Sequence, residues 1–132
     1  MNPIKFIIFN IILSAVIFVG CAQTADENAI TVDQLREMMV SDSNFVLLDV
    51  RNPYELEDKS LGHIDGVLNI PVQELEERLS ELDEFKNKDI AVICRSGRRS
   101  ETATDLLVRN GFNAVNVLGG MVQYRATENK TE

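Results

Sequence analysis

The sequence predicts an α/β domain, an open parallel sheet in three layers with helices on both faces, and two observations carry that reading. Apolar runs such as FVLLDV at 45–50 and AVI at 91–93 are continuous rather than alternating, as in strands buried on both faces of a parallel sheet. Strand and helix patterns then alternate along the chain, which implies crossover connections. Spacing supports the class and leaves the strand order open.

The elements follow in order. Thr31 and Gln34 form a capping-box pattern, and Leu35, Met38 and Met39 mark one apolar helix face. No His or Cys accompanies the methionines, so they read as core. Positions 42–44 (DSN) are turn material, and 45–50 is a buried strand. Asp49 and Arg51 flank its C-terminal end. Asp49 is expected to accept hydrogen bonds from loop amides or an arginine and so hold the architecture; a surface salt bridge is the alternative. Pro53 suits a first helical position, and the acidic stretch 55–61 is expected to be exposed. GHIDGVLNIP at 62–71 gives a turn, a short strand and a stop. His63 is the only histidine, which excludes a multi-histidine metal site and reads as scaffold rather than base. Val72, Leu75, Leu79 and Leu82 predict an amphipathic surface helix, with its glutamates on an ordinary solvated face. After the strand at 91–93, the pattern predicts a helix over 101–109 ended by Asn110-Gly111. A strand at 114–118 and a short final helix carrying Met121, Val122 and Tyr124 complete the chain.

Chemistry concentrates at CRSGRRS, 94–100. Cys94 stands at the C-terminal end of a strand, the edge where open α/β sheets place ligands. Gly97 permits a backbone conformation closed to other residues, so successive amides can converge on one point. Ser100 reads as the cap of a helix bearing Ala103, Leu106 and Leu107. A thiolate at Cys94 is thereby expected to face inward-pointing amides, a helix N-terminus and up to three guanidinium groups. Each favours the anion, so the thiol pKa is expected well below its free value of about 8.5.

This loop resembles the active-site loop of the rhodanese family of sulfurtransferases. LLDVR at 47–51, GHIDGVLNIP at 62–71 and VNVLGGM at 115–121 agree with the same family in the same order, over roughly residues 30–126. The resemblance implies a central sheet of about five strands, Cys94 as catalytic nucleophile, and no cofactor beyond a covalent persulfide on that sulfur. It implies that Asp49 and Arg51 support the active-site face and that His63 is structural. Tyr124 departs from a tryptophan common nearby in relatives.

Composition bounds the partners. A net charge of −8 argues against nucleic-acid binding, and the cluster Arg95, Arg98, Arg99 makes a local positive site for a small anion. Residues 1–20 read as an export signal, with Lys5 before an apolar run that is short for a membrane span. FVGC at 18–21 resembles a bacterial lipobox, so Cys21 is expected to be acylated; ordinary secretion and an uncleaved anchor are the alternatives. The expected organisation is a signal at 1–20, acylated cysteine and tether at 21–29, one monomeric domain at 30–127, and a disordered tail at 128–132. Cys94 then has no partner for an internal disulfide. The expected location is the cell envelope, lipid-anchored and facing the periplasm or exterior.

Three functions compete for such a site. Sulfur transfer would have Cys94 attack thiosulfate or a persulfide, then hand the sulfur to cyanide, a thiol or a protein acceptor. The amides of 95–100, including those of Ser96 and Gly97, would stabilise the anionic sulfur, with Arg99 gripping donor oxygens, Arg95 at the rim and Arg98 steering. Cysteine phosphatases resemble one another in a loop one residue longer, with arginine six after cysteine; here that residue is Ser100. The third reading is a persulfide carrier, redox sensor or docking module without turnover.

Overall fold

The computed structural model describes residues 27–42 and 44–128. Five strands form one sheet, all parallel: β1 (Ala29–Ile30), β2 (Val46–Asp49), β3 (Leu68–Asn69), β4 (Asp89–Ile93) and β5 (Asn113–Val117), in the order β1-β5-β4-β2-β3. β4 lies at the centre because its Ile90-Ala91-Val92-Ile93 run is wholly apolar and can be buried on both sides. Side chains alternate along it. Ile90, Val92 and Cys94 join the core that also holds Leu48, Leu82 and Leu107, while Ala91 and Ile93 join the core with Leu35, Met121 and Tyr124.

Among the described residues four α-helices flank these strands: α1 (Val32–Ser41), α2 (Pro53–Glu57), α3 (Arg98–Arg109) and α4 (Gly120–Glu128). α3 supplies Ala103 and Leu107 to the first core, and α1 and α4 supply Leu35, Met121 and Tyr124 to the second. This is the expected three-layer α/β fold. The Thr31 capping box forms as predicted, with Thr31 Oγ1 accepting from the Gln34 amide at 3.2 Å and Gln34 Oε1 accepting from the Thr31 amide at 2.8 Å. Tyr124 is buried, with the Arg36 guanidinium stacked 4.1 Å from its ring centroid.

Four expectations need correction. The predicted surface helix over 72–82 is a series of turns followed by a 3-10 helix, Leu79–Phe85. Leu79, Leu82 and Phe85 recur every third residue, the period of a 3-10 helix, and all three pack on the core. The tether expected through Ala29 ends earlier, since Ala29 and Ile30 add an edge strand to β5. α3 begins at Arg98 with Gly97 as its cap, one turn ahead of the Ser100 start. α4 runs through Glu128, where the tail was expected to begin. The predicted signal at 1–20, Cys21 and most of the tether and tail lie outside the described residues.

The topology positions the site. From β2 the chain moves outward to β3, and from β4 it moves the opposite way to β5. The connections therefore diverge between β2 and β4, and the crevice at the C-terminal ends of those strands is where α/β folds bind ligands. Cys94 follows β4 there, and Val50 and Arg51 follow β2. The Val50 amide donates to the Ile93 carbonyl at 2.9 Å, tying the two strand ends together.

Candidate active site

Cys94 is only 1 % exposed, yet its sulfur is surrounded by donors. The Gly97 amide donates to Sγ at 3.1 Å and the Ser100 hydroxyl at 3.3 Å. Gly97 has φ +99°, which turns the chain sharply enough to aim its amide back at residue 94. A side chain there would also stand 3.2 Å from the Gly119 amide nitrogen, so the close approach needs glycine. Ser100 Oγ also lies 3.1 Å from the Gly97 carbonyl. One hydroxyl has one proton, so an ionised Sγ competes for it with a neutral carbonyl and is the stronger acceptor.

Burial pushes the Cys94 thiol pKa up, but the Ser100 hydroxyl and the amides of Ser100, Gly97 and Ser96 pull it down further, and the balance lies below the ordinary thiol value. That direction matches the expectation, while the source is narrower. One hydroxyl and the amides lead the lowering, and of the three arginines the charge of Arg99 reaches the sulfur. The arginines are arranged otherwise: Arg95 and Arg98 are exposed, as is Ser96, and among the described residues neither arginine side chain pairs with a carboxylate.

Arg99 was expected to grip donor oxygens. In the structure its guanidinium makes two hydrogen bonds to Glu55, Nη1 to Oε2 at 2.7 Å and Nη2 to Oε1 at 2.8 Å. Glu55 is buried, contrary to the exposure expected for 55–61. The hydrogen bonds from Arg99 lower its carboxyl pKa to about 2 against the opposing effect of burial, helped by the Asn52 amide. Sequence reasoning missed this residue. The signal was available: Asn52 and Glu55 form a capping box, with Glu55 Oε2 accepting from the Asn52 amide at 3.0 Å.

Asp49 and Arg51 form a fully buried ion pair, not a surface one. Asp49 accepts from the Arg51 amide at 2.9 Å and from its guanidinium at 2.8 to 3.1 Å, and Arg51 Nη2 reaches on to the Gly62 carbonyl at 3.0 Å. Asn69 Nδ2 donates to the carbonyls of both residues, at 2.8 and 2.9 Å. The pair thus fixes the end of β2 to β3 and to the turn at Gly62. His63 is exposed beside Asp65, 3.1 Å away, and has no contact with Cys94. Among the described residues no three His, Cys, Asp or Glu side chains gather as a metal site.

The N-terminal side of the loop is held by α4. The Met121 and Val122 amides donate to the carbonyls of Cys94 and Arg95 at 2.8 and 2.9 Å. A Cβ on Gly120 would fall 2.4 Å from the Cys94 carbonyl oxygen, so only glycine admits this contact. Two open cavities border the loop: one of about 500 Å³ lined by Ser96, Arg98, Arg99, Glu101 and Thr102, and one of about 210 Å³ beside Arg95.

A parallel α/β domain with one cysteine in an amide cradle at the end of its central strand is the class that fold and site define. The family described as rhodanese-like domain matches residues 31–127, and the chain belongs to it. It is 42 % identical over 93 residues to YrkF of Bacillus subtilis (strain 168), named as a candidate sulfur carrier protein, covering 70 % of this chain and 48 % of that one. It is 38 % identical over 91 residues to a tRNA uridine(34) hydroxylase of Buchnera aphidicola, covering 65 % of this chain and 28 % of the relative. The chain therefore spans less than half the length of either. Among solved structures, a rhodanese-related protein from Thermoplasma volcanium matches with TM-score 0.66 at 35 % identity, over 76 % of this chain and 92 % of that one. The NAD-dependent persulfide reductase of A. fulgidus matches with TM-score 0.57 at 34 % identity, over 74 % of this chain and 16 % of the reductase.

Proposed function

We propose that this domain is a sulfurtransferase that moves a sulfane sulfur from thiosulfate or a persulfide to cyanide or a thiol through a persulfide on Cys94. The observation that carries the reading is the sulfur itself, at the end of the central strand, accepting hydrogen bonds from Gly97 and Ser100. The Cys94 thiolate attacks the outer sulfur of thiosulfate, the bond to the sulfonate breaks, and sulfite leaves with the electron pair. The persulfide anion then occupies the same cradle, where the amides of 96, 97 and 100 favour its negative charge. An acceptor attacks the outer sulfur and returns Cys94 to a thiolate. No cofactor is needed for either step.

Phosphate ester hydrolysis fits less well. The arginine of the loop is already held by Glu55, and the ring from Cys94 to Arg99 is short for a phosphoryl group. A carrier role without turnover remains the second reading, favoured by the name of the Bacillus subtilis relative. One experiment separates the two. Mass spectrometry after incubation with thiosulfate should show Cys94 heavier by one sulfur atom, and cyanide should discharge it repeatedly as thiocyanate. Loading with a single slow discharge would leave a carrier; no loading would refute sulfur transfer from thiosulfate.

The proposal extends to location. The apolar segment and the FVGC run support an exported chain acylated at Cys21. Cys21→Ala should release the protein from membranes, and full retention would refute acylation as the anchor.

A further inference from the structure

We infer that Glu55 sets the donor preference of this site: by holding Arg99 it denies a sulfonate the cation it needs, so that an organic persulfide loads Cys94 in preference to thiosulfate. This rests on the sulfur-transfer reading for its chemistry and on the Glu55–Arg99 contact for its selectivity.

The contact occupies the binding face of the arginine. Nη1 and Nη2 of Arg99 meet the two carboxylate oxygens of Glu55 at 2.7 and 2.8 Å. That is the paired geometry with which a guanidinium would otherwise hold an oxyanion. Glu55 is itself held in place. Its side chain is 8 % exposed, the Asn52 amide donates to Oε2 at 3.0 Å, and Asn52 Oδ1 accepts in turn from Gln73. A carboxyl pKa of about 2 keeps it charged wherever thiols react, so protonation does not release Arg99.

Charge at the mouth of the site points the same way. Arg98, Arg99 and Glu101 share the wall of the open space of about 500 Å³ beside the loop. Glu55 and Glu101 together offset Arg98 and Arg99, which leaves the Cys94 thiolate uncompensated toward an incoming donor. Thiosulfate is a dianion and must approach it on a chain of net charge −8. A protonated persulfide presents a neutral outer sulfur and needs no guanidinium. Its organic body fits a space of that size, which thiosulfate would leave mostly unfilled. The step balances: the Cys94 thiolate bonds to the outer sulfur, which keeps its proton. The donor's sulfur–sulfur bond breaks, and the inner sulfur leaves with the electron pair as thiolate.

The test measures loading alone. Cys94 is mixed with thiosulfate or with mercaptoethanol persulfide, quenched by alkylation and weighed by mass spectrometry, and the ratio of the two rate constants is compared between variants. The ratio cancels any general loss of folded protein or thiol reactivity. In Glu55→Gln it should shift toward thiosulfate by about tenfold, as for a partly exposed ion contact. In Glu55→Gln/Arg99→Gln it should return to within about twofold of wild type, because the freed cation is gone. An unchanged ratio in the single variant, or a tenfold shift toward persulfide in the double, overturns the inference. Wild type gives a reading that needs no substitution. As salt rises from about 0.05 to 0.5 M, thiosulfate loading should rise relative to persulfide loading, since repulsion is screened. A fall would mean that the dianion is attracted, and would overturn the inference. Binding is followed separately in Cys94→Ser, which cannot load: its affinity for thiosulfate should tighten about tenfold when Glu55→Gln is added. If neither donor loads wild type, the sulfur-transfer reading falls and this titration still decides what Glu55 does. Normal loading with an unchanged ratio and unchanged affinity would overturn the role of Glu55 alone.

Discussion

Replacing Glu55 by glutamine keeps the size of the side chain and removes the charge that holds Arg99. The carboxyl pKa is about 2 where 4.5 is ordinary, first because of the Arg99 hydrogen bonds, against burial, with the Asn52 amide and the charges of Arg99 and Arg51 assisting. That gap corresponds to about 3 kcal/mol of preference for the charged, paired state. Arg99 keeps 32 % of its side chain in solvent, so screening reduces the figure, and we expect a loss of about 2 kcal/mol for Glu55→Gln at pH 7. The sign with pH follows from the lowered value. A carboxylate depressed in the folded state stabilises it fully above the unfolded pKa near 4.5 and loses that effect as pH falls toward 2. The difference between wild type and variant should therefore shrink to about 1 kcal/mol by pH 3. Urea unfolding followed by circular dichroism at both pH values measures it. Equal stabilities at pH 7, or a gap that persists undiminished at pH 3, would refute the reasoning.

Other consequences are as concrete. Ser100→Ala removes a donor 3.3 Å from Sγ, so the thiol pKa should rise and alkylation of Cys94 at pH 7 should slow by about tenfold, as for a lost hydrogen bond to a charged group. Gly120→Ala puts a Cβ 2.4 Å from the Cys94 carbonyl at a φ of +53°; thermal unfolding should show a loss on the order of 3 kcal/mol or more. Asp49→Ala leaves Arg51 charged and buried, and denaturant titration should show a cost of about 3 to 5 kcal/mol. The double variant Asp49→Leu/Arg51→Met should lose less than that single change, because no unpaired charge remains.

The parts of the fold that were legible in the sequence are local ones. The capping box at Thr31 and Gln34, the apolar run of β4 and the glycine turn after Cys94 each lie within a few residues, where spacing and backbone preference speak directly. β1 escaped notice because two residues have no periodicity, and its pairing is set by β5, far along the chain. The segment 72–85 showed the right buried residues and the wrong helix type. Leu79 and Leu82, three apart, suit either period, and Phe85, six after Leu79, distinguishes them.

The site divides in the same way. The Cys94 loop was readable because its donors are its own neighbours. The partner of Arg99 was not, since Glu55 is 44 residues away and is brought over only by the packing of α2. Without that contact three arginines seemed free to ionise the sulfur. With it, one is paired, two face solvent, and the work falls mainly to the Ser100 hydroxyl and the loop amides.

The pH dependence of Cys94 alkylation tests that arrangement most directly. Rates measured with iodoacetamide between pH 5 and about 10 should follow a thiolate whose pKa lies below that of an ordinary cysteine, because the donors around Sγ outweigh its burial. A midpoint at or above the ordinary value would mean that burial prevails, and the proposed anion cradle would be contradicted.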